Sequence, residues 1–223
     1  MKYVIMCGGK YHYWKYPKQL SMINGETLIE RTIRLLKEAG VKKEDICITA
    51  SAELADILLE QAPSVKILMH YDPFESFSST KSTGYWVDCF PIYMTPTTYL
   101  MGDVVFSPEA IKTIVETKTD DIEFFASAPP FAQEYSKEWA EPFAFKVVNQ
   151  AKFQYSIHRV KWMCDAHAFK RHPIAWELWQ VIKGTPINVI DYTNYTAIND
   201  YTCDVDKPAD IYHFEGGSEW HTT

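Results

Sequence analysis

Apolar and helical segments alternate strictly over the first seventy residues of this 223-residue chain. "KYVIMC" (2–7) reads as a buried strand, and "GETLIERTIRLLKEAG" (25–40) as an amphipathic helix. "DICITA" (45–50), "AELADILLEQA" (52–62) and "VKILMH" (65–70) follow as strand, helix and strand. Strands that alternate with helices of this length cannot pair as hairpins. They call for a parallel sheet with crossover helices on its faces. The first helix is the best marked: Thr27 and Glu30 have capping-box spacing, and Gly40 suits its stop. Leu28, Ile29, Thr32, Leu35, Leu36 and Ala39 would form its buried stripe.

Further on, "TTYLM" (97–101) is a short strand ending in Gly102-Asp103, and "SPEAIKTIVE" starts a helix with Ser107 as cap and Pro108 first inside. "IEFFASA" and "PFAFKVV" have strand composition, and "SFSSTKSTGYWVDCF" reads as loop plus helix. "HAFKRHPIAWELWQVIKG" (167–184) predicts one long helix, "TPINVIDY" (185–192) a strand, and "DVDKPADIYHF" a turn into a helix. No repeat, low-complexity segment or linker divides the chain. The expectation is a single α/β domain over 1–223, with a mostly parallel, mixed, Rossmann-like sheet flanked by helices.

A formal net charge of −7 argues against a nucleic-acid binder that relies on a broad basic face. No apolar run approaches the roughly 18 residues of a membrane span, and the first residues lack a signal-peptide pattern. The five cysteines form no C-x-x-C pair and no cysteine–histidine zinc spacing. They read as reduced thiols of a cytoplasmic protein.

The stretch "CGGKYHYWKYPKQL" (7–20) leaves the first strand with two glycines, then Lys10, Lys15 and Lys18 among aromatics. In open parallel sheets ligands settle at the carboxyl ends of strands. Glycines there let main-chain N–H groups approach an anion, and lysines neutralise it. The spacing excludes both the Walker loop and the dinucleotide fingerprint.

"VIMCGG…PKQLSMINGETLIERTIRLLKEAGV" resembles the opening of the GT-A-like nucleotidyltransferases, which include the sugar-phosphate and small-alcohol-phosphate nucleotidylyltransferases. Pro17-Lys18 and Asn24-Gly25-Glu26-Thr27-Leu28-Ile29 fill the family's places in order. "YLMGDVVFSPEAI" resembles its strand–Gly-Asp–helix segment, and "DVDKPADI" its D-[TS]-P-x-D-[LI] close. Two departures stand out: the loop lacks the family's arginine, and Lys207 replaces threonine or serine. Lysine supplies a point charge but not arginine's bidentate fork.

The resemblance implies a GT-A-like architecture with a nucleotide-binding half (1–118) and an acceptor-binding half carrying the closing metal motif (119–223). It also implies a Mg²⁺-dependent transfer of a nucleoside monophosphate from a nucleoside triphosphate, with a slight lean to CTP, onto a sugar phosphate or small phosphorylated alcohol. An acceptor phosphate already ionised near neutral pH needs no general base, so charge neutralisation and positioning carry such a reaction. Lys18, Asp103 and Asp206 are the expected catalytic residues, with Asp103 and Asp206 as metal ligands and Asp204 in reserve. Asp206, just before Lys207-Pro208, equally suits the N-cap of the last helix.

Cys7, Gly8, Gly9, Lys10, Lys18, Ser79, Ser82 and Asp103 are the nucleotide-binding candidates. For the acceptor they are Lys146, Arg159, Lys161 and Asp165, with Glu141 also noted. No nucleic-acid or membrane partner is expected, and a homodimer is compatible with the sequence. A non-catalytic binder of nucleotide or sugar phosphate, or a GT-A-like glycosyltransferase using "DVD" (204–206), are the other readings.

Overall fold

The computed structural model describes residues 1–7, 14–50, 52–61, 65–69, 85–129, 140–214 and 216–218. Its centre is a seven-stranded sheet whose first four strands are parallel: β1 (Lys2–Met6), β4 (Ile46–Ala50), β5 (Lys66–Met69) and β6 (Thr97–Met101). Tyr3, Val4, Ile5 and Met6 of β1, and every residue of β4 and β6, are buried. Strands covered on both faces are expected to read as unbroken apolar runs. Two crossover helices, α1 (Leu28–Glu38) and α2 (Ala52–Gln61), join them as the alternation predicts.

Three more strands complete the sheet, β8 (Ile122–Ser127), β9 (Glu141–Val147) and β10 (Thr196–Ala197), and the short β7 (Val104–Val105) lies outside it. The sheet order is β10-β8-β9-β6-β1-β4-β5. Of its seven strands β9 alone runs against its neighbours, pairing antiparallel with both β6 and β8. The order reverses between β1 and β6, where β4 and β5 lie to one side and the later strands to the other. Such a switch point opens a crevice at the carboxyl ends of β1 and β6.

Capping places α1 as its sequence requires. The Glu30 N–H donates to Thr27 Oγ1 at 3.2 Å, and the Thr27 N–H donates to Glu30 Oε2 at 2.8 Å. Ile33 joins the buried stripe, whereas Ala39 is half-buried. Before α1 the chain makes a hairpin of β2 (Met22–Ile23) and β3 (Glu26–Thr27), turning at Asn24 and Gly25 with φ of 52° and 79°. Asn-Gly is the pair that tolerates such a turn. Helix α3 (Pro108–Glu116) begins with the expected Ser107 cap, whose Oγ accepts from the Ala110 N–H at 2.9 Å.

The second half departs from expectation in three places. Residues 167–184 do not form one helix: α4 (Gln150–Asp165) ends before them, and α5 (Ala175–Lys183) starts only after Pro173. Proline removes a helical donor and pushes the residue before it out of the helical region. Residues 185–192 are irregular rather than a strand. The Gln180 side-chain amide donates to the carbonyls of Pro186 and Val189 at 2.6 and 2.7 Å, satisfying backbone that a neighbouring strand would otherwise pair. The edge strand beside β8 is β10, a few residues later.

The largest side chains fill the space between the sheet and α4 and α5. Phe90 meets Tyr99 and Phe153 edge-on, at centroid distances of 5.3 and 5.2 Å, and Phe124 stacks on Phe145 at 4.5 Å. Trp176 is buried and lies edge-on to Phe124. These aromatics are core packing. Among the described residues no helix is long and apolar enough to cross a membrane.

Candidate active site

At the carboxyl end of β6 the chain passes Gly102 and Asp103 before β7. A Cβ on Gly102 would come within 2.4 Å of the Met6 carbonyl oxygen and 2.9 Å of Cys7 Sγ. Only glycine allows the two strand ends to touch here. The Gly102 N–H donates to that same Met6 oxygen at 3.0 Å. Asp103 is thereby fixed beside the exit of β1.

The end of the polypeptide returns to the same place. β11 (Cys203–Asp204) pairs antiparallel with β7, matching Asp204 to Val104, and the Val205 N–H donates to the Asp103 carbonyl at 2.9 Å. Helix α6 (Pro208–Ile211) follows. Its cap is not Asp206: Asp210 Oδ2 accepts from the N–H groups of Asp206 and Lys207 at 2.9 and 2.7 Å. The Asp206 carboxylate is thus left for other work. Trp14 Nε1–H donates to the Asp206 carbonyl at 3.0 Å, and its ring packs with Ile23, Leu28, Val105, Val205 and Ile211.

Lys18 opens a three-residue 3-10 helix, Lys18–Leu20, directly after Pro17. Buried Gln19 and Leu20 pull this turn into the protein. Lys18 Nζ lies 2.5 Å from Asp103 Oδ2 and 3.9 Å from Asp206 Oδ1, with its side chain only 13% exposed. The structure therefore brings Lys18, Asp103 and Asp206 together, from three distant parts of the sequence.

Two further acids join them. Glu141, the first residue of β9, is buried and its Oε2 accepts from the Asp204 N–H at 3.1 Å. Its Oε1 is 4.0 Å from Cys203 Sγ, and Glu141, Cys203 and Asp204 could converge on one ion. Glu141 reaches the cluster because β9 runs antiparallel to β6, which sets its first residue at the carboxyl edge. Only its place directly before the strand-like run "PFAFKVV" marks Glu141 in the sequence, and no spacing ties it to the other acids.

The electrostatics follow from this crowding. Burial, then Glu141, Asp206 and Asp103 in turn, push the Asp204 carboxyl well above the usual carboxylate range. Burial also raises Asp206, a shift that Lys18 opposes and Asp103 reinforces. For Lys18, burial favours the neutral amine, but Asp103, Asp206 and Asp204 more than offset it and raise its pKa. Four carboxylates thus face a single lysine charge among the described residues. The donors are hard oxygens of the type Mg²⁺ takes, and the uncompensated negative charge suits a divalent ion. Cys203 adds a soft donor beside Glu141 and Asp204.

Other expected site residues lie elsewhere. Lys146 pairs with Thr98, near the opposite end of β6, and is buried. Its ammonium donates to the carbonyls of Val115 and Thr117 at 2.9 and 2.6 Å, closing the C-terminal end of α3. Lys146 lies toward the end of β6 away from Asp103. Lys161 is paired with Asp88 at 2.7 Å, and the Tyr85 hydroxyl donates to Asp165. Both join α4 to the segment at 85–88 rather than to the acid cluster. Arg159 lies on the outer face of α4, in a shallow hollow of about 460 Å³ lined by Tyr155, His158 and Trp162. Cys7 is buried and its N–H donates to Thr49 Oγ1 at 3.1 Å, so it offers an anion neither thiol nor amide. Burial, with Asp103 adding to it, pushes the Cys7 thiol up and keeps it neutral. Gly8, Gly9, Lys10, Ser79 and Ser82 lie outside the described residues.

No protein-family model matches this chain, and no curated protein matches it by sequence. Solved structures do: the chain has the fold of the nucleotidyltransferases. It is similar to the inositol-1-phosphate CTP transferase of T. maritima, with a TM-score of 0.52 and 14% identity, over 94% of this chain and 91% of that one. It is also similar to the 4-diphosphocytidyl-2C-methyl-D-erythritol synthase of Anaerococcus prevotii, with a TM-score of 0.57 and 10% identity, over 95% and 92%. A third likeness is to a protein of Bacillus anthracis described as a candidate glucose-1-phosphate thymidylyltransferase, with a TM-score of 0.54 and 13% identity, over 95% and 92%. At these identities the shared feature is the fold.

Proposed function

We propose that this chain is a divalent-metal-dependent nucleotidylyltransferase, which moves a nucleoside monophosphate from a nucleoside triphosphate onto a sugar phosphate or small phosphorylated alcohol. The observation that carries the reading is the meeting of Lys18, Asp103 and Asp206 at the sheet's switch point, with Nζ–carboxylate distances of 2.5 and 3.9 Å. A fold shared with enzymes whose names specify such transfers supports it, and two of those three names specify cytidine nucleotides, which favours CTP.

In this mechanism an acceptor phosphate oxygen attacks the α-phosphorus, the bond to the bridging oxygen breaks, and pyrophosphate departs with the electron pair. The attacking oxygen is already ionised, so the chain has no proton to remove. Its task is to bring two anions together. Asp103 and Asp206 would hold Mg²⁺, with Glu141 and Asp204 behind them. The ion, when bound, supplies positive charge against the phosphates. Lys18 neutralises the triphosphate as its charge moves to the leaving group. Trp14 holds the Asp206 backbone in place, and Asp210 Oδ2 accepts from the Asp206 and Lys207 N–H groups, with Lys207 rather than Asp206 at the N-cap of α6. The acceptor roles of Arg159, Lys161 and Asp165 are not part of this reading. Among the described residues no cysteine forms a disulfide, which is compatible with the cytoplasm.

A pyrophosphate-release screen of CTP, UTP, GTP and ATP against sugar-1-phosphates and phosphorylated alcohols, with Mg²⁺, tests the reading. One nucleotide–acceptor pair should release pyrophosphate, and Asp103→Asn should abolish it while the protein stays folded. Nucleotide binding without turnover across the panel would instead favour a non-catalytic sensor.

A further inference from the structure

We propose that Lys18 is a resident counter-ion which keeps divalent metal off the Asp103–Asp206 pair until a nucleotide draws its ammonium away. The inference rests on the assignment of those two acids as metal ligands above. It adds an order of events at this pair: without nucleotide Asp103 and Asp206 resist metal, and metal and triphosphate reach them together.

The geometry is specific. A Mg²⁺ ion shared by the two acids needs carboxylate oxygens at roughly 2.1 Å from it. The Lys18 ammonium sits 2.5 Å from Asp103 and 3.9 Å from Asp206, in the space such an ion would take. Two cations cannot share that space in a partly buried site, where screening by water is weak. The same ammonium cannot touch a triphosphate while it is clamped on these acids, so its two roles exclude each other.

The backbone around Lys18 is built for a side chain that moves on a fixed base. The Leu20 N–H donates to the Pro17 carbonyl at 2.9 Å, and the Ser21 N–H to that of Lys18 at 3.0 Å. Gln19 and Leu20 are almost fully buried. Pro17 adds a fixed φ. The four-carbon lysine stem is therefore the moving part, carrying one charge between the acids and an incoming polyphosphate. Lysine suits this exchange better than arginine, whose planar fork would bind the carboxylates in pairs.

Mn²⁺ binding to the full chain without nucleotide, read from the electron paramagnetic resonance of free Mn²⁺, tests the proposal. Lys18→Met should bind Mn²⁺ at least about tenfold more tightly than the unmodified protein. Lys18→Arg, which keeps the charge, should bind as weakly as the unmodified protein. The melting temperature of Lys18→Met should rise with Mn²⁺ while that of the unmodified protein hardly moves. Equal Mn²⁺ affinity in Lys18→Met and the unmodified protein would overturn the idea.

If Lys18→Met does not fold without metal, Lys18→Gln and refolding with Mn²⁺ present decide the matter. Recovery that depends on Mn²⁺ supports the counter-ion role, and failure of both variants with Mn²⁺ overturns it. Tightened binding in Lys18→Met, with no pyrophosphate release by the unmodified protein from any substrate pair, would sink the enzyme assignment and spare the counter-ion. Turnover without tightening would do the reverse.

Discussion

Trp14 and Asp206, 192 positions apart, are joined by a hydrogen bond of 3.0 Å from the indole N–H to the main-chain oxygen. The segment that leaves the first loop is thus tied to the segment that closes the site. Trp14→Phe keeps an aromatic ring in the cluster of Ile23, Val105 and Ile211 but removes the donor. It should cost about 1 kcal/mol in denaturant unfolding. A disproportionate fall in pyrophosphate release at saturating metal would show that the bond positions Asp206.

Gly102→Ala sets a methyl group against the Met6 carbonyl, at an initial 2.4 Å. Backbone on both sides has little freedom to yield, so the strand ends must separate. A loss of about 1–3 kcal/mol is expected. Asp103 follows directly, so metal binding should weaken in the fraction that remains folded, measurable by Mn²⁺ titration.

Lys146→Met leaves the terminal carbonyls of α3 without their donor. Leaving buried acceptors unsatisfied costs about 1–3 kcal/mol. The KM for the acceptor should stay unchanged, because the residue lies at the far end of β6 from Asp103. A large rise in that KM would return Lys146 to the substrate site.

The pH dependence of the metal-free protein follows from Asp204 and Asp206, both raised above 3.8 in the fold, chiefly by burial. An acid raised in the folded state holds its proton longer there than in the unfolded chain. Stability then falls as pH climbs from 3.8 through the folded value, and levels off beyond it. Denaturant unfolding in EDTA should therefore show this cluster contributing less at pH 8 than at pH 5. Asp204→Asn should flatten the slope, and an unchanged slope would show that the crowding has no energetic effect.

The parallel half of the fold is legible in the sequence because each of its signals is local. β1 and β4 are largely apolar runs, β6 is three apolar residues after two threonines, and Thr27, Glu30, Ser107 and Pro108 mark helix starts by chemistry that acts within four residues. The α4 helix is harder to see: exposed Tyr155 and Trp162 break its amphipathic contrast with buried Phe153, Ile157 and Val160. In the site, Asp103 and Asp206 stand out by motif, since each lies in a short turn between two elements. Lys146 misleads because a lysine in a strand looks available until the antiparallel register of β9 turns it toward the carbonyls of α3. That same register brings Glu141 to the acids, and no spacing in the sequence reveals it.

The late pairing of β11 with β7 also sets a timetable for synthesis. A nascent polypeptide on the ribosome can assemble its first four parallel strands long before Asp204 and Asp206 emerge. Until residues 204–206 are released, Lys18 and Asp103 lack Asp206 beside them. A half-made chain in this way holds Lys18 against Asp103 alone.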